Sequence, residues 1–257
     1  MYSKFRVSAN QNVNAYGEAF RLYFGNFPLF LSVLLPPTVF ISLVILVNKL
    51  VNGGANESAG DIRFMFIGIL YLFSIIYTYI AVAYASVFVI TEERTTVSEI
   101  YNLIPFRKIN RLVLAIFLKS LIIGVGFLFF IIPGLYFMIS FLFVELVIIF
   151  EGKGIKEALG RSREIISSDF WGFVLVIIPF LIGFLAFGVF YKWGFTTLVT
   201  GILGGAKLSE SVNMITDIIL GNVLLPLNLT FMSMLYLVYR INEEGLTKDE
   251  FLTDLKS

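Results

Sequence analysis

Residues 129–152 read FFIIPGLYFMISFLFVELVIIFEG, an apolar run whose interior carries one charged side chain, Glu145. A carboxylate that is ionised and alone in hydrocarbon is strongly unfavourable. We therefore expect Glu145 to be neutral or paired with a cation. Pro133 and Gly134 join this run to the apolar run before it with no polar residue between them, which predicts a tight hairpin turn at these two positions.

Composition indicates the class of protein before any motif does. The chain has 257 residues, of which 58% are hydrophobic and 14% charged, and its mean hydropathy is +0.89. Soluble domains carry roughly 45–50% apolar and about 25% charged residues. The sequence therefore predicts an all-α integral membrane protein. The net charge of +1 gives no bias toward nucleic acid, and we expect no nucleic-acid partner.

Apolar segments set the number of predicted membrane spans, since a helix needs about 20 apolar residues to cross a hydrocarbon core of about 30 Å. Six segments qualify, and we interpret residues 1–257 as a single polytopic membrane domain. The predicted spans are residues 27–50, 64–90, 110–131, 135–150, 170–190 and 213–239.

The distribution of Lys and Arg predicts the orientation of these spans, because cytoplasmic loops carry the excess of cations. Of the 19 cations, 14 lie in the segments 1–26, 91–111, 151–169 and 240–257. Four lie toward the opposite side of the membrane, at Lys49, Arg63, Lys192 and Lys207, and Lys119 lies deep within a span. Both termini are therefore predicted to lie in the cytoplasm.

Three polar segments resemble one another, each preceding a pair of spans. They are predicted to form amphipathic helices at about 13–25, 96–107 and 153–167. Such helices lie in the membrane interface with their cations near anionic headgroups, so membrane lipids are predicted partners. The chain would then contain three units, each an interfacial helix followed by a helical hairpin. Two alternatives remain open: solvated connectors, and chance resemblance among apolar segments.

Lys119 is the predicted partner of Glu145. It lies 14 residues before Pro133, and Glu145 lies 11 residues after Gly134, so their depths below the predicted turn differ by about 4 Å at about 1.5 Å per residue. A lysine side chain can span that difference. The pair would be either a structural clamp that fixes the hairpin register or part of a proton or ion pathway.

The last predicted span also carries polar residues, among them Asp217, Asn222 and Asn228. These side chains would either line a cavity or form hydrogen bonds between helices, which are common in membrane proteins.

The chain offers few residues of the types that serve as catalytic groups, because it contains neither His nor Cys. Zinc proteases and the usual serine hydrolases require histidine. The phosphate-binding patterns G-x-x-x-x-G-K-[ST] and G-x-G-x-x-G are absent from the sequence. We therefore predict no catalytic, metal or cofactor site.

The run from Pro133 to Trp171 resembles the glycerophosphoryl diester phosphodiesterase membrane-domain-like family, to which the YciC-like bacterial inner-membrane proteins are similar. The matching residues are Pro133, Gly134, Glu151, Gly152, Ala158, Leu159, Arg161, Ser162, Phe170 and Trp171. The resemblance implies a bacterial inner-membrane protein. It implies no catalytic residue, because the phosphodiesterase activity belongs to a separate soluble domain that some members carry.

The favoured function is a non-enzymatic membrane protein that acts as a scaffold or accessory subunit in envelope or lipid homeostasis. A membrane-protein partner or a homo-oligomer would suit that role. The alternative is a small transporter or lipid translocator that uses Lys119, Glu145 and the polar last span.

Overall fold

The computed structural model describes residues 12–52, 62–202 and 210–245, together with residues 247 and 251. Within these ranges, the side chains of residues 12–15, 41, 45–46, 48–52, 62–65, 200, 210–223 and 241–243 lie outside that description. Within the described residues every regular element is an α-helix. The helices are α1 (Asn12–Gly25), α2 (Phe27–Asn52), α3 (Ile62–Ile90), α4 (Val97–Asn102), α5 (Phe106–Phe129), α6 (Ile131–Ser140), α7 (Val144–Glu151), α8 (Ile155–Ser168), α9 (Phe170–Ile202) and α10 (Glu210–Glu244).

Five stretches of the described chain are helical, long and apolar enough to cross a membrane. They are Phe27–Val44, Phe66–Ile90, Phe106–Phe129, Ile131–Glu151 and Phe170–Val199. The predicted last span, residues 213–239, lies within α10, which is not among these five. The structure thus has the all-helical architecture and the long apolar helices of the predicted class, while the count of six spans stays a prediction.

The turn between α5 and α6 differs from the prediction. Phe130 alone separates the two helices, in an extended conformation, whereas Pro133 and Gly134 lie inside α6. The prediction of a turn at Pro133 and Gly134 was wrong because proline is tolerated in the first turn of a helix, where the missing N–H would have had no helical partner.

The second short helix is also shorter than predicted. The sequence predicted a helix over residues 96–107, but α4 ends at Asn102 and α5 starts at Phe106. Pro105 separates them, since the residue before a proline is disfavoured in the α region. Thr96 begins α4 with a capping box, in which its hydroxyl accepts from the Glu99 backbone N–H and its own N–H bonds the Glu99 carboxylate.

The packed core lies at one end of the molecule. All residues of α3 from Ile80 to Ile90 are buried, as is Thr91 just after it. The first seven residues of α7, Val144–Phe150, and the residues of α10 from Leu229 to Val238 are buried as well. The opposite ends of the long helices are different: among the described side chains of α9, none beyond Phe180 is buried. The core therefore joins α1, α3, α5, α7, α8 and α10, and the distal parts of α2, α3 and α9 expose apolar side chains.

Candidate functional site

The structure brings Lys119 and Glu145 together: the Lys119 Nζ of α5 forms an ion pair with the Glu145 Oε1 of α7. The side chain of Glu145 is nearly buried, at 9% exposure, and that of Lys119 is 19% exposed. Glu145 also lies in the first turn of α7, where the helix dipole favours a negative charge. Two positive influences, the ammonium and the helix N-terminus, therefore offset the cost of burying this carboxylate.

The helix N-terminus at Glu145 exists because the predicted fourth span is interrupted. Residues 141–143 form turns between α6 and α7, which leaves backbone groups without helical partners. Ser162 of α8 bridges this interruption: its Oγ accepts from the Phe143 N–H at 3.1 Å and donates to the Ser140 carbonyl at 2.9 Å. The buried Ser162 thus satisfies one donor and one acceptor at the helix break.

A second charge cluster surrounds Glu151 at the C-terminus of α7. Its carboxylate lies 2.8 Å from the Arg240 guanidinium, 2.7 Å from the Lys153 ammonium and 3.5 Å from the Arg161 Nε. The Tyr236 hydroxyl also hydrogen-bonds this carboxylate. We name Glu151, Lys153, Arg161, Tyr236 and Arg240 the Glu151 cluster.

Glu244 extends the Glu151 cluster at the end of α10. It forms ion pairs with Arg161 and with the Arg240 Nε, the latter at 2.5 Å. Burial opposes the charge of Arg161, but its hydrogen bond to Glu164 and the nearby carboxylates of Glu151 and Glu164 raise its pKa above the ordinary value. The cluster therefore ties α7, α8 and α10 together through charges that satisfy one another.

Two further cations bond backbone carbonyls at the same end of α7. The Lys108 Nζ donates to the Ile149 carbonyl at 3.1 Å and to the Tyr84 hydroxyl at 2.9 Å. The Arg111 guanidinium donates to the Gly152 carbonyl at 2.7 Å. The last carbonyls of a helix lack helical partners and carry the negative end of its dipole, so α5 holds this end of α7 through favourable charge.

The polar residues of the last predicted span fall partly outside the description. Asp217 and Asn222 belong to α10, but their side chains are among those not described, and Asn228 is half-buried. Further along, the Thr230 hydroxyl lies 3.1 Å from that of Ser86 on α3. This pair is a hydrogen bond between helices, which is one of the two alternatives considered for the polar face.

The residues of the family-like motif cluster around α7 and α8. Glu151, Arg161 and Ser162 make the contacts given above. Gly152 ends α7 with a left-handed φ of 64°, a conformation that glycine adopts without strain. The remaining motif residues pack these elements. Ala158 is fully buried and Leu159 half-buried on α8, Gly134 is buried against α5, Pro133 is half-buried, and Phe170 and Trp171 begin α9.

Sequence reasoning missed two tyrosines that bond helix carbonyls near prolines. The Tyr101 hydroxyl of α4 donates to the Val33 carbonyl of α2 at 2.5 Å, and the Tyr16 hydroxyl of α1 donates to the Val176 carbonyl of α9, also at 2.5 Å. Proline lacks the N–H that would bond the carbonyl four residues earlier, and Val33 stands four residues before Pro37. The prolines were the available signal, but their partners lie far away in sequence.

The fold and these sites define an all-helical protein whose long apolar helices are compatible with a multi-pass membrane protein. Comparison with family models, with curated proteins and with solved structures finds no match. Among the described residues no three His, Cys, Asp or Glu side chains are grouped to hold a metal ion. The resemblance to the membrane-domain-like family stays a prediction that rests on the quoted motif.

Proposed function

We propose that this chain is a non-enzymatic protein of the bacterial cytoplasmic membrane that acts as a scaffold or accessory subunit in envelope or lipid homeostasis. The observation that carries this proposal is that the buried charges pair with one another across helices. Glu145 pairs with Lys119, and Glu151 pairs with Arg161 of α8 and Arg240 of α10. Charges satisfied in this way fix helix positions, as a rigid binding platform requires.

Six apolar segments in three units form the membrane part in this proposal, with both termini in the cytoplasm. A cyclic pattern of contacts supports the three units: the short helix of each unit hydrogen-bonds an apolar helical segment of the preceding unit, with the third unit preceding the first. Tyr101 of α4 bonds α2, Ser162 of α8 bonds the break between α6 and α7, and Tyr16 of α1 bonds α9. Lys156 and Arg163 are exposed on α8, where they would face anionic headgroups.

Purification from native membranes tests the scaffold role. A tagged wild-type chain is expected to co-purify a membrane protein at a fixed stoichiometry. The double variant Lys119→Met/Glu145→Leu, which leaves no lone charge, serves as the matched control and should retain that protein. Absence of such a protein from the wild-type preparation would contradict the scaffold role. Its loss from the double variant alone would contradict a purely structural role for the Lys119–Glu145 pair.

A transporter is the second candidate, and the interrupted helix favours it. Transporters place binding sites at discontinuous helices whose half-helix termini face charged groups, and Glu145 lies in the first turn of such a half-helix. In proteoliposomes a transporter would produce a pH-dependent flux of ions or lipid that the double variant loses. A scaffold would produce no flux with either chain.

A further inference from the structure

Helix α8 runs antiparallel along α7 and α6. The two segments are joined by residues 152–154, and their contacts advance in opposite directions. Ser162 bonds Ser140 and Phe143, while the ring of Phe170, just after α8, lies 5.6 Å from that of Tyr136. The α6–α7 segment therefore lies beside α8 over nearly the whole length of α8.

The outer face of α8 is polar from end to end. Lys156, Glu157, Arg163 and Glu164 are all exposed, while the inner stripe is buried. Charged side chains on a lipid-exposed face are strongly unfavourable in hydrocarbon. Helix α8 must therefore lie at the interface or in the cytoplasm, and the α6–α7 segment beside it lies at nearly the same depth.

Both ends of this segment meet the cytoplasmic ends of crossing helices. Tyr136 contacts Phe170, the first residue of α9, and Glu151 pairs with Arg240, four residues before the end of α10. If the α6–α7 segment crossed the membrane, either Tyr136 or Glu151 would lie deep in the bilayer, far from the cytoplasmic face. Here the two contacts lie at the same side of the membrane.

Helix α1 supplies a second depth marker within the proposed topology, in which it lies in the cytoplasmic interface. Tyr16 bonds the Val176 carbonyl and packs 5.4 Å from the ring of Phe231. Val176 lies six residues into α9 beyond Phe170, or about 9 Å at about 1.5 Å per residue. The contact between Tyr136 and Phe170 is thus on the cytoplasmic side of α1.

The tip of the α5–α6 hairpin lies too close to the depth of the Tyr136–Phe170 contact to reach the outer face of the membrane. Phe130 lies six residues before Tyr136, or about 9 Å along α6, whereas the hydrocarbon core is about 30 Å thick. Yet the hairpin edge is strongly apolar and exposed. Its most exposed residues are Leu128, Phe129, Phe130, Ile131 and Ile132.

We propose that the hairpin of α5 and α6–α7 does not cross the membrane but enters and leaves it from the cytoplasmic side, with its apolar edge among the acyl chains of the cytoplasmic leaflet. This inference rests on the orientation given under the proposed function. The chain then crosses the membrane four times, through α2, α3, α9 and α10. The partner of the apolar edge is the lipid leaflet itself.

The backbone at the tip suits insertion into lipid, where unpaired polar groups are costly. The Phe130 N–H bonds the Gly126 carbonyl at 3.1 Å, and the Gly134 N–H bonds the Phe130 carbonyl at 3.3 Å. Pro133 has no N–H to leave unpaired. The motif residues Pro133 and Gly134 thus reduce the number of backbone groups that the tip exposes.

Single cysteines test the proposal, since the chain has none of its own. Phe130→Cys and Tyr136→Cys are compared in right-side-out and inverted vesicles with a membrane-impermeant maleimide. Ser58→Cys lies in the connection between α2 and α3, which the distribution of cations predicts to face outside, and serves as the control for the outer side. Ser167→Cys on α8 is the control for the cytoplasmic side. We expect no labelling of Phe130→Cys from outside, and labelling of Tyr136→Cys from the cytoplasmic side.

Labelling of Phe130→Cys from outside, or failure of Tyr136→Cys to react from the cytoplasmic side where Ser167→Cys reacts, overturns the proposal. Leu128→Cys repeats the tip measurement should Phe130→Cys fail to fold. The orientation of the chain in the membrane is tested separately. Labelling of Ser58→Cys only from the cytoplasmic side would overturn the orientation given under the proposed function, independently of the labelling at the hairpin tip.

Discussion

The hydroxyl of Tyr101 donates to the carbonyl of Val33, the acceptor that Pro37 leaves without its helical N–H donor. Burial, with the nearby Tyr77, raises the pKa of Tyr101 to about 12, so its hydroxyl keeps its proton at neutral pH. Tyr101→Phe leaves the carbonyl of the buried Val33 unpaired, and we expect it to lower the free energy of unfolding by about 1 kcal/mol. Thermal unfolding in detergent measures the loss.

Substitution of the prolines provides the matched control for that result. Pro37→Ala restores an N–H opposite Val33 and should stabilise Tyr101→Phe more than it stabilises the wild type. Pro36→Ala restores an N–H opposite Ser32, so its effect should be equal in both backgrounds. An equal effect of Pro37→Ala in the two backgrounds would show that Tyr101 does not serve this carbonyl.

Removal of either member of the Lys119–Glu145 pair should destabilise the protein. Breaking a buried pair costs about 3–5 kcal/mol in soluble proteins, and measured couplings in membranes average about 0.6 kcal/mol. We expect Glu145→Gln to cost more than Lys119→Met, because the carboxylate left by Lys119→Met keeps the N-terminus of α7 as a favourable neighbour.

A double-mutant cycle decides whether the two side chains interact. Replacement of both by apolar residues should recover much of the loss, since no lone charge remains. Strictly additive losses in the thermal stability of the three variants would contradict the pairing.

Ser162→Ala should cost about 1–3 kcal/mol, because it leaves a buried N–H of Phe143 without its acceptor. Ser167→Ala is the matched control on the same helix, since Ser167 is exposed and donates only to the Glu164 carbonyl. Unfolding midpoints in detergent compare the two. Equal small effects would mean that the interruption between α6 and α7 does not depend on Ser162.

Gly134→Ala should destabilise the hairpin of α5 and α6. A Cβ at Gly134 would overlap the ring of Phe127, and one at Gly126 would lie 3.0 Å from the Gly134 Cα. Overpacking of this kind costs about 1–3 kcal/mol. Gly124→Ala, on the other helix of the hairpin, α5, has nothing within 4 Å of the new Cβ, so it should leave thermal stability unchanged or raise it. A Gly134→Ala chain as stable as Gly124→Ala would argue against close packing here.

The sequence was sufficient to predict several features because they depend on composition and local chemistry. Apolar length determined the long helices, so each of the five candidate spans overlaps a predicted one and begins within four residues of it, while the ends differ by up to nine residues. The lone carboxylate Glu145 predicted a cationic partner, and depth arithmetic pointed to Lys119. Proline and glycine were harder to interpret, since Pro133 was taken for a turn and lies in the first turn of a helix.

Only the tertiary structure decided where each polar group found its partner. The Glu151 cluster joins Glu151 and Arg240, which stand 89 positions apart in the sequence, and no local pattern predicts such a contact. At the break between α6 and α7, Ser162 of α8 supplies two hydrogen bonds to the backbone of a segment about 20 positions earlier in the sequence. The hydrophobic pattern determines which segments are helical and apolar. How those helices lie against one another depends on side-chain packing and on pairing distant charges, which are properties of the assembled core.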